Sequence, residues 1–130
     1  VDDSRRGPGE VGDTAVTMPD DPTLEIAEDT EGPRRVLRVV GELDLATAPV
    51  LRHRLHEAIE AGHTDVVVDL PRLTFMDSTG ISVLVDALKQ VHRLKGRLVL
   101  RNPTEGIRRV LEIAGLLSIF GLDAEDGTPA

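Results

Sequence analysis

The chain has 130 residues, 40% of them hydrophobic, which suits one small domain with one core. It has no cysteine, so a disulfide framework and thiolate metal sites are excluded. With no Trp, no Tyr and only Phe75 and Phe120, the core must be Val, Leu and Ile. The net charge of −8 is gathered at the ends. Residues 1–31 hold ten acids and two bases, residues 123–130 three acids and no base, and the stretch between them thirteen bases and ten acids. An acidic chain with no basic stripe argues against nucleic acid. No apolar run reaches the length of a membrane span and no signal peptide is visible, so a cytoplasmic protein without membrane insertion is expected.

Residues 1–21, rich in Gly, Pro and Asp, read as a disordered acidic leader in which Thr14–Met18 could add a short strand. Leu24–Ala27 alternates as a strand, Asp29–Pro33 is a turn, and Arg35–Val40 is a second strand, which together predict a hairpin. Thr47 reads as the N-cap of a helix over 48–61, with Pro49 in its first turn and Leu51, Leu55, Ala58 and Ile59 facing inward; Gly62 supplies a left-handed C-cap. Val66–Leu70 is a buried strand and Pro71–Asp77 a loop. A helix from Ser78 to Arg93 follows, its apolar face formed by Ile81, Leu84, Val85, Leu88 and Val91, and Gly96 closes it as Gly62 closes the first. Leu98–Leu100 is a strand. Asn102–Thr104 opens a last helix with Ile107, Val110, Leu111 and Ala114 inward, ended by Gly115. Leu116–Phe120 reads as an edge strand, and 123–130 as a disordered tail.

A hairpin followed by alternating helices and strands predicts an α/β fold: a four- or five-stranded mixed sheet with βαβαβα crossovers. In such a sheet the loops after the strands gather at one edge, which brings Leu43–Thr47, Pro71–Ser78 and Asn102–Thr104 together. Asp77 and Ser78 both suit an N-cap, and capping alone would explain them. A serine at a helix N-terminus also faces unpaired N–H groups and the positive end of the dipole, where a phosphate is tolerated.

Other chemistries fit poorly. Ser78 lacks a Gly-x-Ser-x-Gly elbow, and the nearest histidines in sequence are His63 and His92. There is no Walker-type loop. His53 and His56 stand at i, i+3 without a third ligand and read as a solvated helix face.

The run Phe75-Met76-Asp77-Ser78-Thr79-Gly80-Ile81 resembles the Asp-Ser-[Ser/Thr]-Gly-[Leu/Ile] signature of STAS domains, and among them of anti-sigma factor antagonists. Gly41-Glu42-Leu43-Asp44 with Thr47-Ala48, and Val110 to Leu116, resemble two further segments of that family. The resemblance covers Thr23 to Leu122 and defines a domain over 22–122. The family's final helix is missing or too short here, and residues 123–130 cannot replace it.

The resemblance implies a binding protein with no catalytic residue, no cofactor and no metal of its own. Its partners would be an anti-sigma factor that is also a serine kinase, and a serine phosphatase. The implied phosphorylation position is Ser78. The implied contact set is Asp44, Thr47, Phe75, Met76, Asp77, Ser78, Thr79, Gly80 and Ile81. A STAS subunit of a membrane transport assembly is the alternative within the fold; a small serine hydrolase or nucleotide-binding protein is the alternative outside it.

Overall fold

The structure, a computed structural model, describes residues 24–122. The leader with Thr14–Met18, and the tail 123–130, lie outside the described residues. Strands β1 (Leu24–Glu31) and β2 (Arg34–Leu43) form the hairpin, antiparallel through Leu24↔Gly41 to Glu31↔Arg34. Helix α1 (Ala48–Glu60) returns the chain to β3 (Asp65–Asp69), which pairs parallel with the first half of β2. Helix α2 (Ser78–Arg93) leads to β5 (Arg97–Arg101), parallel to β3, and α3 (Glu105–Ile113) follows.

A short strand β4 (Leu73–Met76) occupies what reads in the sequence as loop. Pro71 has no N–H to offer a ladder, so β3 breaks. The chain then rejoins the same side of β2 further along, pairing Leu43 with Met76. A bulge at Thr74, whose hydroxyl donates to Gly41 O at 3.0 Å, explains why the strand escaped a period-two reading. It lets Leu73 and Met76 both turn inward while Phe75 between them turns out. The sheet is therefore five-stranded and mixed, with β1-β2-β3-β5 in order and β4 continuing the line of β3 along β2.

All three helices contribute to one core with the inward side chains of the sheet, including Leu37, Val39, Val66, Val68, Leu98 and Leu100. The predicted face of α1 is buried as read. In α2 the inward face also takes Val83 and Ala87, leaving Ile81 and Val85 half-buried.

Three further expectations change. Ala114, read as inward in α3, is the exposed C-cap of that helix. Leu116–Phe120 forms turns, not a strand; Phe120 is fully buried, and its carbonyl accepts one bond from Leu100 N at 3.1 Å. At the end of α2 the left-handed residue is Lys95 (φ 63°), not Gly96. Gly96 is demanded by proximity instead: a Cβ there would lie 2.2 Å from the Thr64 carbonyl oxygen.

Candidate partner-binding site

The two best motif segments meet because β4 runs parallel to the end of β2. Leu43 pairs with Met76, so the residues that follow, Asp44 and Asp77, leave the sheet side by side. Asp77 N donates to Leu43 O at 3.1 Å and ties the two turns together. Asn102 sits further back, at the end of the shorter β5, where its amide donates to Asp69 Oδ1 at 3.0 Å. Met76 pairs five residues further along β2 than Asp69 does, which is about 16 Å of strand. The third loop thus belongs to the same edge of the sheet but not to the same turn cluster.

At α2 the capping residue is Asp77. Its extended backbone (φ −106°, ψ −173°) points the carboxylate back over the helix, and Oδ1 accepts from Thr79 N at 2.9 Å and Gly80 N at 3.2 Å. Ser78 is therefore the first helical residue and is not needed as a cap. It is exposed, and its hydroxyl makes no hydrogen bond to any described residue. Thr79 is half-buried. Met76 and Gly80 are buried, so they position this surface without forming part of it. A Cβ on Gly80 would stand 2.6 Å from Leu43 Cγ, which shows how closely the first turn of α2 packs on the end of β2.

The neighbouring turn uses the same residue types differently. Thr47 stands at the N-terminus of α1, but its side chain does not cap that helix. Its hydroxyl donates to Glu42 O at 2.7 Å and accepts from Asp44 N at 3.0 Å. Asp44 Oδ1 accepts from Ala46 N at 3.0 Å and Thr47 N at 3.1 Å. Asp44 and Thr47 thus lock a four-residue turn. At its tip is Leu45, 74% exposed, which the sequence reading passed over. The signal was present: one large apolar side chain inside an otherwise small and polar turn.

No histidine reaches Ser78. His92 is fourteen residues down the same helix, about 21 Å away. His53 and His56 face Glu57 and Glu60 on their own helix, at 3.3 and 3.9 Å. Among the described residues no group of three or more His, Cys, Asp or Glu could hold a metal ion, and no helix is long and apolar enough to cross a membrane. A groove of about 290 Å³ runs between α1 and α2 beside the Arg52–Asp86 ion pair (3.2 Å), but Ser78 does not line it. The serine lies on open surface, which fits contact with a protein better than enclosure of a small substrate.

The STAS domain family model matches residues 22–126. The chain belongs to the STAS domain family. Within it, the chain is 37% identical over 89 residues to the anti-sigma-B factor antagonist of Bacillus subtilis (strain 168), covering 68% of this chain and 81% of that one. It is 33% identical over 82 residues to the anti-sigma F factor antagonist of Lysinibacillus sphaericus, covering 62% and 70%. Among solved structures, the anti-sigma factor antagonist SpoIIAA in its unphosphorylated form matches with a TM-score of 0.65 at 28% identity, covering 73% of this chain and 84% of that one. The phosphorylated form of the Bacillus SpoIIAA matches with a TM-score of 0.60 at the same identity, covering 73% and 87%. These relatives are named as antagonists, which are regulatory binding proteins and not enzymes.

Proposed function

We propose that this chain is an anti-sigma factor antagonist of the cytoplasm whose working unit is the domain over 22–122. Its unmodified form binds an anti-sigma factor that is also a serine kinase, and so frees a sigma factor for transcription, as in a stress response. The kinase phosphorylates Ser78 and a serine phosphatase reverses the step. The contact surface includes Phe75, Ser78 and Thr79, held in place by Asp44, Thr47, Met76, Asp77, Gly80 and Ile81. Any ATP or metal belongs to the partners.

The observation that carries this reading is the Ser78 hydroxyl. It is exposed, without a hydrogen bond among the described residues and relieved of capping by Asp77, so it can be modified without loss of a described bond that holds the fold. The helix N-terminus tolerates added negative charge. A phosphate brings about −1.5 to −2 charge beside Asp77 and Asp44. A partner surface shaped for a neutral hydroxyl would then have to bury an anion without a matched cation, which costs several kcal/mol. A loss of about 4 kcal/mol is about a thousandfold in affinity.

Titration of purified variants against the cognate anti-sigma factor tests the reading. Ser78→Ala should bind like the parent and resist phosphorylation. Ser78→Asp should fold normally and bind about a thousandfold more weakly. Tight binding by Ser78→Asp would rule out the charge switch, and phosphate found on Thr79 would move the site.

A further inference from the structure

We propose that Leu45 is the apolar anchor of partner recognition, and that Asp44 and Thr47 act as positioning residues that hold it out. The inference rests on the reading of the chain as an antagonist that docks through the Ser78 surface. It adds which side chain supplies the affinity and what the partner must carry there.

Six large hydrophobic side chains are exposed among the described residues, and three of them, Leu45, Val50 and Phe75, lie at the end of the sheet that bears Ser78. Phe75 is 48% exposed on the strand that runs into Asp77, and Val50 is 47% exposed in the first turn of α1. Leu45, at 74%, is the most exposed of the three. Interfaces usually take their central contacts from Trp, Tyr and Arg. This chain has no Trp or Tyr, so an apolar anchor at this end of the sheet must be an aliphatic or Phe side chain.

The turn under Leu45 has little freedom. Four hydrogen bonds of 2.7–3.1 Å close it: two through the Asp44 carboxylate and two through the Thr47 hydroxyl. A second strut is the Asp77 N–H to Leu43 O bond, which fixes the turn against the start of α2. An apolar side chain presented on a rigid turn loses little conformational entropy on docking. Leu45 is thereby placed to enter a hydrophobic recess on the same partner face that meets Ser78. The occupant of this surface is accordingly an anti-sigma protein with an apolar recess beside the contact that meets the serine.

The experiment uses a panel of purified serine-kinase-type anti-sigma proteins from the source cell, and titration calorimetry with the member that binds the parent chain. Leu45→Ala should weaken binding at least about tenfold with an unchanged thermal midpoint, because its side chain is largely solvated in the free protein. Asp44→Ala should weaken binding in the parent background but add nothing in the Leu45→Ala background, while lowering the thermal midpoint equally in both. Parent-like binding by Leu45→Ala while Ser78→Asp fails to bind would overturn the anchor and leave the switch standing. Additive effects of Asp44→Ala and Leu45→Ala would make Asp44 a direct contact and overturn its positioning role. If no panel member binds the parent, the antagonist reading and the anchor fall together.

Discussion

The turns before α1 and α2 contain the same chemistry, an aspartate and a nearby hydroxyl, and put it to opposite uses. Before α2 the aspartate caps and the Ser78 hydroxyl is left free. Before α1 the aspartate braces its own turn and the Thr47 hydroxyl is committed on both sides. The contrast separates a hydroxyl that builds the structure from one that is available for chemistry. Composition alone makes the two equivalent, since Asp, Ser and Thr all cap helices. Asp77 and Thr47 each sit one residue before a helix, and what distinguishes them is the backbone: Asp77 is extended, whereas Thr47 has a helical φ and ψ (−101°, −17°), from which its hydroxyl turns to Glu42 and Asp44.

The contact that joins the two turns should be the most sensitive to change. Gly80→Ala puts a methyl group 2.6 Å from Leu43 Cγ and 3.0 Å from Met76 Cγ, and both neighbours are buried. Overpacking of this kind should cost about 1–3 kcal/mol, read as a lower urea midpoint. A parent-like midpoint would mean that α2 can shift away from β2, and that the two turns are not rigidly joined.

Next in size is the direct comparison of the hydroxyls. Thr47→Val leaves Asp44 N and Glu42 O without the partner they share, and should cost about 1–2 kcal/mol. Ser78→Ala removes an exposed group with no hydrogen bond, and should stay within about 0.5 kcal/mol. Chemical denaturation of the two variants side by side measures the difference. Equal losses would show that Ser78 is as structural as Thr47, and its freedom for modification would be lost as an argument.

Much of this is legible in the sequence alone. The helical spacing from Ile81 to Val91 and the Asp-Ser pair before it placed the start of α2 at its observed residue, because capping and amphipathic periodicity agree there. The alternation of elements also placed Asp44 beside the Asp77 turn. What escaped depends on three-dimensional neighbours. The pattern of β4 was hidden by the Thr74 bulge, which turns two apolar residues three apart to the same side. Leu116–Phe120 is apolar enough for a strand, yet it is consumed in turns that bury Phe120. Gly96 suggested a positive φ, but its lack of a side chain serves the Thr64 carbonyl. The division of labour between Asp77 and Ser78 needed the ψ of Asp77, which no local pattern supplies.

The smallest effect expected comes from carboxylates that pair with arginines instead of backbone N–H groups. Glu31, at the hairpin end of β1, receives two bonds from the Arg101 guanidinium, 3.0 Å to Oε1 and 3.2 Å to Oε2, and Arg101 also reaches the buried Asp69 at 3.4 Å. The hydrogen bond from Arg101 is the main reason that the Glu31 carboxyl is held below its ordinary pKa. Loss of water opposes it, and the charges of Arg101, Arg38 and Arg34 add to it. A carboxyl whose folded pKa is depressed stabilises the fold above its unfolded value, about 4.3 for Glu, and that contribution fades as pH falls through the lower folded value. Glu31→Gln should therefore be slightly less stable than the parent near neutral pH, and the gap should close below about pH 4. Glutamine is the right replacement, because removing Arg101 would also strip a partner from Asp69 and mix two effects. Urea midpoints of parent and variant across that range give the answer. A gap that is constant with pH, or that widens in acid, would mean that the Glu31 charge contributes nothing to the fold.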